Sequence, residues 1–528
     1  MRGLRRVEVT VFLVAVAVRL LSAWPLGIPG YFDAYYYYNV ALDLVAGRGM
    51  TDFVIWNYLD GPFTLPRPSH LYWMPLTTWL AALAVWLLGS WLGPWRAVQV
   101  CFALLSALLP ALAAWLAGRW WGRRDFALAA GLLTIFTGYY FVYWSVPDTF
   151  TPFALTVALA LLAAWRGLET GRLAWWLLAG VGVGLSHLTR ADGVLVGVAF
   201  LPVLWPHRRR VPLRRALLAV GAGYVAVMAP WWWRNLNAAG TPLPGGGTKT
   251  IWLRGYDELF SLDLSLGLSR YLAWGFWPIV RSKVRGVLWS GTVLTGGLQF
   301  FLVPPVLVGA WQRRHDEGVR LLASYTLVLW GVLALVFTFP AQRGSMLHSA
   351  AALLPWLSAL VPGGVEGIVG WVARWRRSWN VAQATRVFLF GFVGLAALVS
   401  IWQYTWGVWM ASGPSAVMPP WNRRFEHYTA VDRWLDGQGV PAEVPVMVVD
   451  PPSFYGTTGR WAIVIPTDGL SALNRAADLF NARFLVLERD HSTVYDDAYE
   501  TGQLKGWRQR ARFEDALGHP VWLFEREK

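Results

Sequence analysis

Four charged residues stand at the ends of long apolar segments, far apart in the sequence. Asp33 and Asp148 carry carboxylates, and a carboxylate can take a proton from a reacting hydroxyl group. Arg190 and Arg343 carry guanidinium groups, which hold phosphates through paired hydrogen bonds. These residue types provide what proton transfer and phosphate binding require, provided that the fold brings them together.

Each of the four residues also has a purely structural interpretation. Asp33 can cap a short helix after the first apolar segment, and Asp148 can cap a helix that begins at Thr149, because aspartate is a preferred N-cap. Arg190 and Arg343 can extend toward the phosphates of lipid headgroups. Both interpretations stay open at the level of sequence.

The composition indicates the kind of scaffold that must position these side chains. Of the 528 residues, 56% are hydrophobic, only 15% are charged and 36 are tryptophan, which is the balance of a polytopic membrane protein. The net charge of +15 is spread over short clusters between apolar runs, so we expect membrane topology and no nucleic-acid partner. The single cysteine, Cys101, excludes an intramolecular disulfide framework and a cysteine-based metal site.

Eleven apolar segments are about as long as a bilayer crossing requires, which is roughly 17 to 25 residues. The first is expected to stay as an uncleaved helix, because Arg19 interrupts it and no Ala-x-Ala site follows. The eleven candidates are 9–26, 97–118, 126–144, 150–166, 173–188, 192–206, 216–233, 286–310, 321–339, 346–362 and 387–410.

A twelfth apolar run, residues 71–92, decides the topology, because every later loop changes sides if this run crosses the membrane. If it does not cross, the cytoplasmic segments hold 20 Lys and Arg in 71 residues, and the outer segments hold 11 in 139. If it crosses, 17 of those 20 charges move outside, against the positive-inside rule. We therefore predict an interfacial or re-entrant element on the outer face.

The composition changes near Pro414, after which charged residues become frequent. We predict a transmembrane domain over 1–412, with membrane-parallel helices in its outer loop 27–95. A soluble α/β domain follows over 413–528, outside the cytoplasm by parity. Its predicted elements are strands at 444–449, 461–465 and 483–488, a helix at 470–480, and a last edge strand at 521–524.

Three motifs resemble a known superfamily. They are Asp33-Ala-Tyr-Tyr with Ala41-Leu-Asp-Leu-Val-Ala-Gly-Arg-Gly49, then Arg67-Pro-Ser-His-Leu-Tyr-Trp-Met-Pro75, and later Gln342-Arg-Gly-Ser-Met-Leu-His-Ser-Ala350. In this order they resemble the GT-C superfamily of membrane glycosyltransferases, which includes protein O-mannosyltransferases and aminoarabinose transferases. Two shorter motifs, around Asp148 and at 188–193, add to the resemblance. Ala34 departs from the Asp-Glu pair common in the superfamily.

The resemblance implies a function and a site. It implies an enzyme of the cell envelope that transfers a sugar from a polyprenyl-phosphate donor to an acceptor hydroxyl on the outer face of the cytoplasmic membrane, with inversion. Asp33 is then the general base and Asp148 a second catalytic candidate. The expected substrate contacts are Tyr35, Tyr36, Arg67, His70, Arg190, Arg343 and His348. For His70 and His348 a structural role is the alternative.

Several other charged residues are expected to have supporting roles outside the reacting groups. We expect Arg19 to face protein or the cavity, Asp192 to pair with Arg190, and the cluster Arg281, Lys283 and Arg285 to contact either a donor phosphate or lipid headgroups. Asp33 and Asp148 can bracket a divalent ion, but spacing alone makes no case for one, so we expect no metal. The rival functions are a multi-helix transporter or lipid flippase, and a non-catalytic envelope scaffold.

Overall fold

The chain folds into a large helical part followed by a small mixed α/β part. The computed structural model describes residues 2–208, 211–243, 246–339, 344–376, 378–411 and 418–527. The helices of the first part are α1 (Arg2–Ala23), α2 (Phe32–Val45), α3 (Leu76–Leu92), α4 (Pro94–Trp121), α5 (Arg124–Ile135), α6 (Phe150–Thr170), α7 (Leu173–Thr189), α8 (Leu195–Val198), α9 (Leu201–Leu204), α10 (Leu213–Ala239), α11 (Gly246–Lys249), α12 (Leu268–Leu272), α13 (Phe276–Gly297), α14 (Val303–Gln312), α15 (Glu317–Val336), α16 (Ser345–Ser349), α17 (Leu354–Ala373) and α18 (Val381–Thr405).

Short 3-10 segments and one π-helical turn extend or connect these helices. The 3-10 segments are Gly138–Ser145, Ala191–Val194, Trp205–His207, Thr250–Trp252, Asp257–Phe260, Ala350–Leu353, Trp421–Arg423 and Thr493–Tyr495, and the π-helical turn is Trp406–Met410. The outer loop between α2 and α3 also carries β1 (Thr51–Asp52), β2 (Val54–Ile55) and β3 (Arg67–Pro68). β1 and β3 pair antiparallel.

Six helices among the described residues are long and apolar enough to cross a membrane, and a bent pair makes a possible seventh. In lipid, a spanning segment must satisfy its own backbone hydrogen bonds, which is why these apolar runs are helical. The chain is therefore a multi-pass helical membrane protein. The predicted total of about eleven spans stays a prediction.

Two predicted spans are interrupted. The segment predicted at 126–144 bends by 74° between α5 and the 3-10 helix that begins at Gly138. The single span predicted at 286–310 is wrong, because α13 ends at Gly297 and α14 begins at Val303. Gln299 and Phe300 between them adopt positive φ angles of 52° and 61°. The Pro304-Pro305 pair in the first turn of α14 cannot continue a preceding helix, so the chain starts a new one there.

The run 71–92 is helical from Leu76 onward, and α3 packs beside α2 and α4 through a small apolar cluster. The Thr78 hydroxyl donates a hydrogen bond to the backbone carbonyl of Tyr37 at 3.3 Å. α3 is thus attached to the helix that carries Asp33. Its lack of membrane crossing stays a prediction.

The C-terminal part contains a six-stranded sheet whose order is β2-β5-β4-β6-β8-β7. Its elements are α19 (Glu426–Gly437), β4 (Val446–Val448), α20 (Pro451–Thr458), β5 (Ala462–Val464), α21 (Leu470–Phe480), β6 (Phe484–Leu487), α22 (Asp496–Thr501), β7 (Trp507–Glu514) and β8 (Pro520–Arg526). The prediction of 521–524 as an edge strand is wrong, since β8 pairs with both β6 and β7. The domain boundary predicted at 412/413 lies outside the described residues.

The two parts are joined through the outer loop. β2 of that loop pairs in parallel with β5 and thereby extends the C-terminal sheet. Trp421 donates a hydrogen bond from Nε1 to the carbonyl of Ile28 at 2.8 Å, and Arg424 donates one to the carbonyl of Gly30 at 2.9 Å. A side chain at Gly30, whose φ is 84°, would collide with the Trp421 ring. The C-terminal part therefore fixes the chain that leads into α2.

Candidate functional site

Asp33 lies in the first turn of α2, and its side chain is 26% exposed. The N-cap position of this helix is Tyr31, and no side-chain capping hydrogen bond is formed there. The capping interpretation of Asp33 is therefore wrong. Its carboxylate instead faces His348 of α16, which is far from Asp33 in the sequence. Asp33 Oδ2 lies 3.5 Å from His348 Nε2.

His348 connects the two aspartates. Its Nδ1 lies 3.4 Å from Asp148 Oδ1, while its Nε2 faces Asp33. The imidazole stacks on the ring of Phe150 with a centroid distance of 4.5 Å, and its Nδ1 lies 3.2 Å from the Thr149 hydroxyl. The short helix α16 carries His348 to this position. The ring thus has contacts on its face and at both nitrogens.

Asp148 is fully buried, in contrast to Asp33. The Tyr31 hydroxyl donates a hydrogen bond to Asp148 Oδ2 at 2.7 Å, and the Thr149 hydroxyl donates one to Oδ1 at 3.1 Å. The backbone N–H of Thr149 also donates to Oδ1. Thr149, not Asp148, occupies the N-cap position of α6, so Asp148 does not cap that helix.

Arg190, which follows α7, borders the same cluster. Its guanidinium donates hydrogen bonds to the hydroxyls of Thr149 and Ser349, each at 3.1 Å. It also pairs with Asp192 at 3.1 Å, as predicted. Its side chain is 13% exposed, so this cation is held firmly next to the carboxylates. Arg343 lies outside the described residues.

The two aspartates differ in pKa because their surroundings differ. Burial raises the pKa of Asp33 to about 6, and the negative charge of Asp148 adds to this rise. Burial also opposes ionisation of Asp148, but His348 and the hydrogen bonds from Tyr31 and Thr149 hold its pKa below the usual value. Asp148 therefore favours its ionised form, while Asp33, with a pKa of about 6, can exchange a proton near neutral pH.

Two of the predicted substrate contacts on α2 are buried inside the protein. Tyr35 is 4% exposed and packs edge-on against Phe425 of the C-terminal part, with ring centroids 5.3 Å apart. Tyr36 is 2% exposed, and its hydroxyl donates a hydrogen bond to Asp52 at 3.2 Å. In this structure neither side chain is presented to a substrate. Both attach α2 to its neighbours.

The predicted contacts Arg67 and His70 lie in a buried cluster of the outer loop. Arg67 Nε lies 3.9 Å from Asp52 Oδ2, and the backbone N–H of His70 donates a hydrogen bond to the Tyr36 hydroxyl at 2.8 Å. Burial lowers the pKa of His70 to about 3, so its ring is neutral. A structural role for His70, instead of a substrate contact, therefore fits its buried surroundings.

Three residues of the site have no counterpart in the sequence prediction. Tyr31 and Thr149 hold Asp148 through the hydrogen bonds described above. Burial raises the pKa of Tyr37, and the charges of Asp148 and Asp33 raise it further, so its protonated phenol lies beside the cluster. Tyrosines are common at membrane interfaces, so their residue type gave no distinguishing signal.

The remaining charged candidates lie elsewhere. Arg19 is 1% exposed and donates hydrogen bonds to the carbonyls of Phe141 and Thr134 at 3.3 and 3.4 Å, so it faces protein. Lys283 donates to the carbonyl of Val336 at 2.8 Å. Its neighbours in the predicted outer cluster, Arg281 and Arg285, are exposed.

The site has the donor atoms for a divalent cation. Asp33, Asp148 and His348 each offer one ligand atom, and these atoms all lie within 4.8 Å of one another. Two carboxylate oxygens and one imidazole nitrogen suit zinc or manganese. A bound cation would supply positive charge next to a phosphate. The expectation of a reaction without a metal stays a prediction.

Comparison with known proteins gives a consistent result. The family described as dolichyl-phosphate-mannose-protein mannosyltransferase matches residues 67–233. No curated protein matches the sequence. ArnT from Cupriavidus metallidurans, solved with undecaprenyl phosphate, is 14% identical with a TM-score of 0.57, and the match covers 98% of this chain and 97% of ArnT.

Two oligosaccharyltransferase structures from Archaeoglobus fulgidus are similar to the same degree. AglB, solved with an inhibitory peptide and a dolichol-phosphate, is 14% identical with a TM-score of 0.57, covering 91% of this chain and 69% of AglB. An oligosaccharyltransferase solved with Zn and sulfate is 15% identical with a TM-score of 0.58, covering 99% of this chain and 73% of that protein. The likeness thus extends over nearly the whole chain.

Proposed function

Because the chain has the GT-C fold of these membrane glycosyltransferases, as its motifs predict, we propose that it transfers a sugar from a polyprenyl-phosphate donor to an acceptor hydroxyl. The main support is the convergence of Asp33, Asp148, His348 and Arg190 from four distant segments. The polyprenyl phosphates bound to ArnT and AglB agree with this class of donor.

Asp33 is the group best suited to be the general base. Its carboxylate is partly exposed and its pKa is raised to about 6, so it is mostly ionised at neutral pH yet basic enough to take a proton. As the acceptor oxygen forms its bond to the anomeric carbon, the bond from that carbon to the phosphate oxygen breaks. The acceptor proton passes to Asp33, and polyprenyl phosphate leaves. One direct displacement inverts the anomeric configuration.

The other residues of the site orient Asp33 and supply positive charge for the departing phosphate. Asp148 is saturated with hydrogen bonds and buried, so it orients His348 instead of taking a proton. His348 keeps the Asp33 carboxylate in place through Nε2. Arg190 supplies a fixed positive charge, which favours the departing phosphate because charge accumulates on it in the transition state.

The direct test of the function is an assay of the purified protein with a panel of polyprenyl-phosphate sugars. Release of polyprenyl phosphate from one donor, at a rate that depends on an added hydroxyl acceptor, would support the proposal. Turnover with none of the donors, while the protein transports a lipid or solute in vesicles, would favour the transporter alternative.

The proposed topology places the site and the C-terminal part outside the cytoplasm. We expect a membrane-impermeant maleimide to label single cysteines introduced at 440–520 in intact cells, but not those at 119–125, in a Cys101→Ala background. Permeabilised cells provide the control, since both sets should then react. Labelling of 119–125 in intact cells would show that residues 71–92 cross the membrane.

The pH dependence of kcat/KM should report the raised pKa of Asp33. Only the ionised carboxylate accepts a proton, so we expect kcat/KM to fall about tenfold per pH unit below pH 6 and to level off above about pH 7. Circular dichroism at each pH provides the control for unfolding. An acid limb near the unperturbed aspartate pKa of about 3.9 would mean that a different, unshifted carboxylate is the base.

Removal of divalent cations tests the expectation that no metal is required. We expect dialysis against EDTA to change kcat by less than about twofold, because Arg190 already provides positive charge at the site. Metal content is measured in parallel by mass spectrometry. If activity is lost and then returns with Mn²⁺ or Zn²⁺, Asp33, Asp148 and His348 are the ligands to substitute next.

A further inference from the structure

A groove lies at the end of the helical bundle opposite the carboxylates. It runs between the last turns of α4 and α6, has a volume of about 290 Å³, and is lined by Trp115, Arg119, Leu162, Trp165 and Arg166. α6 begins next to Asp148, so Arg166 lies about 24 Å from the site along this helix. The groove therefore has no direct part in the proposed reaction.

The groove is polar at one end and apolar at the other. α4 and α6 both run away from the carboxylate site, and on each helix the arginine follows the apolar residue by four positions: Trp115 and Arg119, Leu162 and Arg166. The backbone of each arginine is therefore about one turn, roughly 6 Å, closer to the bundle end than that of its apolar partner. A membrane lipid has the same order, with a charged headgroup at the membrane surface and apolar acyl chains further in.

The Arg119 guanidinium packs against aromatic rings, and both guanidinium groups bond to one carboxylate. The Arg119 guanidinium lies over the ring of Trp165 at 4.7 Å. Glu169 bonds to Arg119 and pairs with Arg166 at 2.8 Å, which leaves one net positive charge on the three residues. The side chains of Arg119 and Arg166 are 39% and 53% exposed, so both can also reach a ligand from the membrane.

From this arrangement we infer that the groove binds an anionic glycerophospholipid. The headgroup phosphate contacts the exposed sides of the Arg119 and Arg166 guanidinium groups, whose other sides are held by Glu169, and an acyl chain follows Leu162 and Trp115 toward the membrane centre. The net positive charge selects an anionic headgroup over a zwitterionic one. In the proposed topology this end of the bundle faces the cytoplasm, so the lipid belongs to the inner leaflet.

Native mass spectrometry of the purified protein, titrated with phosphatidylglycerol or phosphatidylcholine in a neutral detergent, tests this inference. We expect preferential binding of phosphatidylglycerol. Because a direct hydrogen bond to a charged group contributes roughly tenfold or more to affinity, Arg119→Gln and Arg166→Gln should each weaken binding by at least about that factor. Arg172→Gln, an exposed arginine nearby that does not line the groove, is the matched control and should leave binding unchanged.

A second variant distinguishes lipid binding in the groove from attraction by the arginine charges alone. Leu162→Trp fills the apolar end and keeps both arginines, so it should also weaken phosphatidylglycerol binding. Unchanged binding in Leu162→Trp, equal affinity for the two lipids, or full retention in the Arg119→Gln/Arg166→Gln double variant would each overturn the inference. Displacement of the lipid by millimolar inorganic phosphate would show a phosphate site without lipid specificity, which also contradicts it.

Discussion

Replacing Asp33 with asparagine is expected to abolish transfer while leaving the protein folded and able to bind the lipid donor. Asparagine keeps the size of the side chain and a polar oxygen beside His348 Nε2, so the main loss is the basicity. General-base catalysis contributes about 10²- to 10⁴-fold. The barrier should therefore rise by at least about 2.7 kcal/mol, which single-turnover measurements resolve easily.

The matched control is Asp43→Asn on the same helix. Asp43 is buried, unlike Asp33, and it bonds to Arg48 and to the Tyr455 hydroxyl and not to the carboxylate cluster. We expect this variant to lose stability without losing a comparable factor in kcat. If Asp33→Asn retains wild-type turnover with an identified donor and acceptor, Asp33 is not the base, and Asp148 becomes the next candidate.

The division of roles between the aspartates depends on contacts that the sequence does not display. Asp33 and Asp148 were both identified as candidates because they border apolar segments and belong to motifs that resemble the GT-C superfamily. Their difference arises from Tyr31, which is 117 residues away from Asp148 in sequence yet donates a hydrogen bond to it. A sequence pattern can place a carboxylate at a membrane surface, but it cannot show how many donors will meet it.

The helices were largely predictable because lipid leaves the backbone few alternatives. A long apolar run must be helical to satisfy its hydrogen bonds, so segments such as α4, α6 and α18 appear close to their predicted limits. Hydropathy measures composition and is insensitive to turns. The break between α13 and α14 was therefore missed, although Pro304 and Pro305 mark it in the sequence.

The C-terminal sheet shows a different limit of prediction from sequence. The buried strands β4, β5 and β6 are short apolar runs and were predicted near their actual positions. β7 was missed because its side chains alternate between exposed charged or polar residues and a few partly buried ones, as in a loop. β2 has only two residues and belongs to the outer loop, so its place in this sheet depends entirely on the tertiary structure.

The second large effect is expected for Arg190→Gln, which should weaken donor binding as well as turnover. A hydrogen bond to a charged group contributes about 1.5 to 3 kcal/mol, or roughly 10- to 150-fold in kcat/KM. Because the phosphate carries charge in the ground state too, part of this loss should appear in the affinity for sugar-free polyprenyl phosphate. Arg190→Lys keeps the charge and should recover part of that affinity.

Asp192→Asn distinguishes this role from a structural one. Asp192 pairs with Arg190 at 3.1 Å, and its other carboxylate oxygen accepts a hydrogen bond from Ser349. If Arg190 only supports the fold through Asp192, the Asp192→Asn and Arg190→Gln variants should lose activity and thermal stability equally. If Arg190 contacts the phosphate, Asp192→Asn should lose stability but keep most of its affinity for polyprenyl phosphate. Equal affinity losses in the two variants would therefore remove Arg190 from the donor site.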